Sequence, residues 1–175
     1  MRGVRIRPAR VVEADSLAAV QLDTVLTAYK GIFPPHAPAP TRKAMVEDWR
    51  AAFEDPTFEA FLAENGDAAV GTVAVRADPD RAGCGVLRRL HVIPELWDKG
   101  IGSALYDAAL AALRDGSYRE TGLWVLQANS RARAFYERRG WSLVPGEILE
   151  WPGLDVVEVR YDLSLASQPP IDTAP

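Results

Sequence analysis

The turn between a strand and a helix near residue 100 has the residue types best suited to bind an anion. Residues 86–93 form a predicted strand that Pro94 must end, because proline cannot donate a hydrogen bond to a neighbouring strand. Gly100 and Gly102 then remove two Cβ atoms where the backbone enters a helix, so consecutive N–H groups can face outward. The first four N–H groups of a helix have no internal partner, and the helix dipole adds partial positive charge. This turn therefore predicts a phosphate-binding site.

Two well-known phosphate motifs do not fit this turn. A P-loop requires GxxxxGK[ST], and a dinucleotide-binding fold requires GxGxxG, but Leu105 stands where the third glycine should be. A glycine pair of this kind also occurs in tight turns that bind nothing. The turn alone leaves both interpretations open.

A second segment, residues 129–141, carries a candidate catalytic group. Asn129 is a good helix N-cap, and Gly140 is placed for a left-handed C-cap. Ala132 and Tyr136 share one face of the helix between them. Taken alone, this pattern also fits an ordinary amphipathic helix with Tyr136 in the core.

Together, the two segments resemble a known family. The sequence KGIGSAL at residues 99–105, after a strand and a proline, is similar to the pyrophosphate loop of the GNAT superfamily of N-acetyltransferases. Residues 129–141 are similar to that family's NxxAxxxYExxGF segment, and the two motifs occur in the family's order. The start of the chain and residues 28–32 also resemble bacterial members, so the resemblance covers nearly everything up to Leu163.

The resemblance implies an acyltransferase that moves the acetyl group of acetyl-CoA directly to a primary amine through a tetrahedral intermediate. By similarity, the backbone from Trp97 through Ser103 would bind the CoA pyrophosphate, and the preceding bulged strand would pair with the pantetheine arm. The CoA-binding residues implied in this way are Leu90, His91, Val92, Trp97, Asp98, Lys99, Gly100, Ile101, Gly102, Ser103, Asn129, Ala132 and Tyr136. The acceptor would be a small-molecule amine or a protein amine.

Two of these residues would take part in the chemistry. By similarity, the Leu90 N–H faces the thioester carbonyl, where one such donor is worth about 2.7–4 kcal/mol in the transition state. Tyr136 matches the general acid that protonates the CoA thiolate, since a phenol with a pKa of about 10 holds its proton at neutral pH. A rival interpretation is a catalytically silent domain of the same fold that binds acyl-CoA and senses it; the presence of Tyr136 favours the enzyme.

The sequence leaves the general base open. Some family members carry a glutamate on the strand before the bulge, but here Val86 stands at about that place and cannot accept a proton. The candidates are His91, Glu59, Glu64 or an ordered water, although a lone histidine in a strand is more often structural. Asp98 puts a carboxylate beside the expected phosphates, and we expect it to point outward or to cap the helix.

Two further groups of residues have weaker assignments. The arginines at 88, 89, 131, 133, 138 and 139 include candidates for a contact to the CoA 3′-phosphate, although most are expected on solvated faces. The aromatic residues Tyr29, Phe33, Trp49 and Trp151 are candidates for the acceptor pocket, and equally for the core.

Composition limits the class of protein. With 175 residues, 48% of them hydrophobic and 25% charged, the chain predicts one soluble domain. A net charge of -4 argues against nucleic acid as a partner. No apolar run is long enough for a membrane helix, and the charged start lacks the apolar stretch of a signal peptide, so we expect a cytoplasmic protein. The resemblance to bacterial members implies that it is bacterial. One cysteine, Cys84, and two histidines leave little from which to build a metal site.

Charge is distributed unevenly along the chain. Residues 81–139 contain ten basic and six acidic residues, a net charge of +4, and the rest contains ten basic and 18 acidic residues, a net charge of -8. This division favours an anionic cofactor on the basic part and a cationic amine on the acidic part.

Periodicity and punctuation predict an α/β (α+β) domain over residues 1–163 and a frayed tail over 164–175. The predicted strands are 4–7, 57–63, 69–76, 86–93, 123–127 and 156–163, and the predicted helices are 13–29, 41–53, 101–114 and 129–139. The resemblance adds that the sheet is mixed, mostly antiparallel and splayed at a bulged strand, flanked by about four helices. It also implies a possible homodimer formed through terminal strands.

Overall fold

Residues 3–165, the part of the chain that the computed structural model describes, contain seven strands and four α-helices. The strands are β1 (Arg5–Pro8), β2 (Glu59–Asn65), β3 (Ala68–Ala77), β4 (Cys84–Val92), β5 (Glu120–Leu126), β6 (Ser142–Trp151) and β7 (Val156–Ser164). The helices are α1 (Ala14–Ala28), α2 (Arg42–Ala52), α3 (Ile101–Asp115) and α4 (Ser130–Glu137), with short 3-10 turns at Val11–Glu13 and Pro94–Leu96. The predicted helices and strands all occur, displaced by at most three residues at their ends.

The strands form one sheet in the order β1-β2-β3-β4-β5-β7-β6. Every neighbouring pair is antiparallel except β4 and β5, which run parallel. The expectation of a mixed, mostly antiparallel sheet with four helices is therefore confirmed.

The edge strand β6 has no counterpart among the predicted elements. It contains Pro145 and Gly146, its residues are mostly exposed, and its register with β7 shifts between Leu143 and Ile148. Proline is tolerated on an edge strand because one side of that strand needs no partner. An exposed strand also lacks the buried alternate positions from which strands are predicted.

The sheet divides in the middle because β4 carries one extra residue. Its register with β3 shifts between Thr72 and Ala74, and the bulged residue Arg89 has a φ of 55°. Only residues 84–86 of β4 pair with residues 120–122 of β5. Beyond that point β5 continues alongside β7 to Leu126, so β4 and β5 diverge. The predicted splay at a bulged strand is confirmed.

The two faces of the sheet carry different helices. Val73 and Val75 of β3 belong to the core that α3 covers, whereas Ala74 between them packs into a smaller core with Leu17 of α1 and Trp49 of α2. Alternation along the strand places these two cores on opposite faces. We call them the α3 face and the α2 face.

Local signals at the helix ends act as the sequence predicts. The Thr41 side chain accepts from Ala44 N at 3.3 Å and caps α2, and the Asn129 side chain accepts from Ala132 N at 3.1 Å and caps α4. Gly140 has a φ of 83°, in the left-handed region expected of a C-cap glycine.

The folded part extends beyond the boundary expected at residue 163. Strand β7 ends at Ser164, and Leu165 is buried in the core with its N–H donating to Arg119 O at 2.9 Å. The remainder of the expected frayed tail, residues 166–175, lies outside the described residues. Within residues 3–165, no helix combines the length and the apolar character needed to cross a membrane.

A buried ion pair lies close to the point where the sheet divides. Arg160 of β7 donates to Asp78 at 2.8 Å and to Asp162 at 2.8 Å, and the Arg160 and Asp78 side chains are only 5% and 2% exposed. A Cβ on Gly122 would lie 2.3 Å from an Arg160 guanidinium nitrogen. Gly122, at the last β4–β5 pair, therefore leaves room for the Arg160 guanidinium. That guanidinium connects β7 to Asp78, in the segment after β3.

We expect Arg160→Ala to lower the free energy of unfolding by about 3–5 kcal/mol, because Asp78 would remain buried without its charged partner. Urea denaturation at neutral pH measures this loss. Arg5→Ala is the matched control, since it removes the 3.0 Å pair with Glu64 from a side chain that is 72% exposed, and should cost no more than about 1 kcal/mol. Equal losses in both variants would contradict the role given to the buried pair.

Candidate active site

The divergence of β4 and β5 opens a cleft of about 960 Å³. Eleven of the thirteen predicted CoA-binding residues line it, namely Leu90, His91, Val92, Trp97, Asp98, Gly100, Gly102, Ser103, Asn129, Ala132 and Tyr136. The other two do not: Ile101 is buried in the core on the α3 face, and Lys99 is exposed. Residues from three separate segments of the sequence are thus brought to one cavity.

The start of α3 forms the anion-binding wall of this cleft. Gly100 is the N-cap with a φ of 84°, a conformation that favours glycine. A Cβ on Gly102 would meet only Val92 Cγ2 at 3.9 Å and Phe135 Cε2 at 4.0 Å, so protein packing does not require glycine there. Its missing side chain instead leaves room on the cleft side. Arg139 donates to Ser103 Oγ at 2.7 Å and adds positive charge to the same wall.

The side chain of Asp98 is largely exposed to solvent, although the residue lines the cleft. Its side chain is 83% exposed and pairs with Arg131 at 2.9 Å, and the Arg131 guanidinium lies 4.6 Å from the centre of the Trp97 ring. Asp98 therefore points outward, as expected from the sequence.

The edge of β4 past the bulge faces the gap with backbone groups. The Ile93 N–H donates to Val70 O, which orients it toward β3, so alternation turns the N–H groups of Leu90 and Val92 away from β3 and into the gap. The Val92 carbonyl is already occupied, because it accepts from Thr24 Oγ1 at 3.0 Å and from Trp97 Nε1 at 2.7 Å. The Val92 carbonyl is thus not available to a ligand, whereas the Leu90 and Val92 N–H groups face the gap.

Tyr136 lies in the wall of the cleft on α4. Its ring packs edge-on against Phe135 and Trp141, with centroids 5.4 Å and 5.7 Å away. Within residues 3–165 its hydroxyl makes no hydrogen bond, whereas the neighbouring Tyr106 hydroxyl accepts from Trp141 Nε1 at 3.0 Å. Burial raises the pKa of Tyr136 well above its usual value, and the nearby Tyr29 and Tyr106 add to that effect. The phenol therefore keeps its proton at neutral pH.

The structure separates the three side chains considered as general bases. Glu59 and Glu64 do not line the cleft; Glu64 instead pairs with Arg5 and Arg7, which hold its pKa below the usual range. His91 does line the cleft, but burial, with the charge of Arg89, lowers its pKa to about 4. At neutral pH His91 is neutral and only weakly basic.

A carboxylate that the sequence analysis did not single out lies in the cleft. Leu87 and Val159 pack into the core on the α3 face, so their neighbours Arg88 and Glu158 point to the α2 face of the gap. Burial raises the pKa of Glu158, and a hydrogen bond from Trp151 and the charge of Arg88 partly oppose this shift. A glutamate on the polar side of an alternating strand carries no signal in the sequence, which explains why it was missed.

The aromatic candidates divide between the cleft and the core. Tyr29 and Trp151 line the cleft, and Phe33 lies between them, with centroid distances of 6.0 Å and 5.3 Å. Burial, with the charge of Glu158, raises the pKa of Tyr29 to about 12, and both residues line the cleft. Trp49, by contrast, is fully buried in the core on the α2 face.

Among the described residues, no group of three or more His, Cys, Asp or Glu side chains is arranged to hold a metal ion.

A solved protein with the same fold is an acetyltransferase. The PaiA N-acetyltransferase of Thermoplasma acidophilum, solved in complex with coenzyme A, aligns with a TM-score of 0.69 over 89% of this chain and 98% of its own. The identity over this alignment is 18%, so it establishes the shared fold.

This chain belongs to the acetyltransferase (GNAT) family, whose model matches residues 22–141, and it is an acyltransferase. A protein of Mycobacterium tuberculosis named as a probable N-acetyltransferase is 26% identical over 95% of this chain and 97% of its own length. The mycothiol acetyltransferase of Propionibacterium freudenreichii is 32% identical over 61% of this chain, a match that spans only a third of that relative. The resemblance noted in the two sequence motifs is confirmed.

The burial of His91 predicts a loss of stability in mild acid. Between pH 6.5 and about pH 4 the unfolded chain binds a proton on this imidazole that the folded chain excludes, so stability falls as the pH falls. We expect the loss to be on the order of 3 kcal/mol, measured by urea denaturation across this range. In His91→Gln this part of the pH dependence should be absent; an unchanged pH dependence in the variant would contradict the prediction.

Proposed function

We propose that the protein transfers the acetyl group of acetyl-CoA to the primary amine of an acceptor, with the two substrates meeting in the gap between β4 and β5. The observation that carries this proposal is one continuous cleft. It is lined by the start of α3, by Tyr136 on α4 and by Glu158 on the α2 face. The coenzyme A bound to the PaiA relative of the same fold supports the choice of donor.

The residues on the α3 face fit the anionic and amide parts of CoA. The N–H groups that begin α3, the space beside Gly102 and the Arg139 guanidinium together suit a pyrophosphate. The free N–H of Val92 suits a pantetheine carbonyl. When bound, acetyl-CoA supplies a thioester whose carbonyl carbon accepts the amine.

Two groups of the chain then act on either side of the thioester. The Leu90 N–H, which faces the gap, stabilises negative charge on the carbonyl oxygen as the amine adds. Tyr136 holds a proton at neutral pH and gives it to the departing sulfur. Its hydroxyl has no partner within residues 3–165 that would compete for that proton.

Glu158 is the base that this arrangement provides for the amine. Its carboxylate lies on the α2 face of the gap, opposite the helix start that suits the pyrophosphate. A pKa raised by burial makes it a stronger base than an ordinary glutamate, whereas His91, with a pKa of about 4, is a weaker base than an ordinary histidine. We therefore propose Glu158 for the role that the sequence left open among His91, Glu59, Glu64 and water.

We expect Tyr136→Phe to lower turnover by about 10²–10⁴-fold, because the thiolate would leave without a positioned acid. Release of the CoA thiol in the presence of a panel of amines measures turnover. Thermal stabilisation by CoA should be the same in the variant and the unmodified protein, since the ring remains in place. An unaffected rate in the variant would remove Tyr136 from the mechanism. If the unmodified protein binds CoA but releases no thiol with any amine, a silent, CoA-sensing domain is favoured instead.

We expect Glu158→Gln to lower kcat/KM at neutral pH and to remove the acid limb of its pH profile, which in the unmodified enzyme lies above the usual pKa of glutamate. The same substitution should raise the stability at neutral pH, because the folded state no longer holds a partly buried charge. This stability gain should disappear below about pH 4, where the glutamate is protonated in both states.

Glu150→Gln is the matched control for this variant. Glu150 lies on the neighbouring strand β6 and is exposed outside the cleft, so neither the pH profile nor the stability should change. An acid limb that persists in Glu158→Gln would assign the base to another group.

A further inference from the structure

A side cavity of about 200 Å³ opens on the α2 face, beside the cleft. Three arginines, Arg76, Arg88 and Arg89, line both this cavity and the cleft. The acidic residues that line the side cavity are Asp48 and Asp55. Three guanidinium groups thus share a small space with two carboxylates.

Two of these arginines have buried N–H groups without a partner. The Arg89 side chain is only 9% exposed, and its guanidinium lies 4.4 Å from the centre of the Trp49 ring. It donates to Asp48 at 2.6 Å. Its Nη1, however, has no hydrogen-bond partner within residues 3–165. Arg76 Nε is also buried and unpartnered there. Leaving a buried donor unsatisfied is unfavourable, and more so when the group is charged.

The carboxylates nearby do not balance these charges. Asp55 accepts from Thr57 N at 2.8 Å and Thr57 Oγ1 at 2.7 Å, and lies 3.6 Å from Arg76. Arg88 makes no hydrogen bond or ion pair among the described residues. Burial lowers the pKa of Arg88, and the charge of Arg76 lowers it further, while Asp48 and Glu158 only partly compensate. Within the side cavity three guanidinium groups therefore face two carboxylates, and the next carboxylate, Glu158, lies in the adjoining cleft.

We propose that Arg76, Arg88 and Arg89 bind the carboxylate of the acceptor, so that the enzyme acetylates the amine of an amino acid or short peptide. Guanidinium groups match the two oxygens of a carboxylate, and N–H groups from separate arginines supply more than one hydrogen bond to it. Glu158 lies on the same face and would pair with the ammonium group of the acceptor. A zwitterionic acceptor would thus pair its carboxylate with the arginines and its ammonium with Glu158. This inference rests on the proposed acetyl transfer.

The local charge refines what the distribution along the sequence predicted. The acidic excess outside residues 81–139 favours a cationic acceptor. On the α2 face, however, Arg88 and Glu158 line the cleft together, and each influences the pKa of the other. An acceptor with one ammonium and one carboxylate fits this pair better than a purely cationic one.

The test compares acceptors that differ only in the group opposite the amine. Release of the CoA thiol is measured with glycine, β-alanine, γ-aminobutyrate and glycylglycine, and with their neutral amides and the diamines of matched length. We expect kcat/KM for the best carboxylate to exceed that of its amide by roughly 10- to 100-fold, the range of hydrogen bonds to charged groups. The best length in the series reports how far the arginines lie from the reacting amine, and separates free amino acids from peptides.

Three variants separate a direct contact from a general effect of charge. Arg88→Gln should raise KM for the carboxylate acceptors by roughly 10-fold or more and leave KM for the amides unchanged, whereas its effect on the Glu158 pKa changes kcat alike for both classes. Asp48→Asn should lower KM for the carboxylate acceptors, because it removes a carboxylate that competes for Arg89. Arg50→Gln is the matched control, since this exposed arginine on α2 lines neither cavity and should change neither class of acceptor.

The outcomes distinguish this inference from the proposed function. Equal or better kcat/KM for amides or diamines, or an equal effect of Arg88→Gln on KM for all acceptors, overturns the carboxylate site while leaving acetyl transfer intact. Absence of thiol release with every amine overturns the proposed function itself. In that case, isothermal titration with N-acetylglycine and its amide still tests the arginines, because a carboxylate site binds the acid more tightly than the amide.

Discussion

The parting of β4 from β5 after Val86 and Gly122 is the constraint on which the rest of the structure depends. Strands that begin as hydrogen-bonded neighbours separate because the bulge at Arg89 adds a residue to β4 and turns it away. Separation leaves backbone N–H groups facing a gap instead of another strand, and such groups need partners. A linear ligand with carbonyl groups along its length could supply those partners, which is the basis for proposing that the gap binds the pantetheine arm of CoA.

An open gap is stable only if the two halves of the sheet are held from elsewhere. Strand β5 keeps its full pairing with β7, and Arg160 of β7 reaches Asp78, beyond the end of β3, through space left free by Gly122. On the α3 face, residues from β3, β4, β5 and β7 share one apolar core. The ion pair and the core thus resist the separation that the bulge begins, and the gap keeps a fixed width.

The sequence predicted what neighbouring residues determine and missed what distant residues build. The helix starts at Gly100 and Asn129 were predicted from the residues beside them. The two motifs were likewise recognised from short runs of neighbouring residues. Strand β6 was missed because its exposed positions carry no burial pattern. The sequence did not show that Glu158 and Arg88 line the same cleft, because they come from strands that do not pair with each other, and only the parting of the sheet brings both to one cavity.

Burial gives the two sides of the gap different chemical character. On the α3 face, burial keeps the Tyr136 phenol protonated, as the general-acid role proposed for it requires. On the α2 face, Glu158 and Arg88 retain opposite charges in a partly dry space, and burial makes both charged forms less favourable. Charges held at such a cost destabilise the free protein, and a ligand that pairs with both recovers part of that free energy on binding. The same burial that makes Glu158 a stronger base therefore strengthens the preference of its face for a zwitterionic partner.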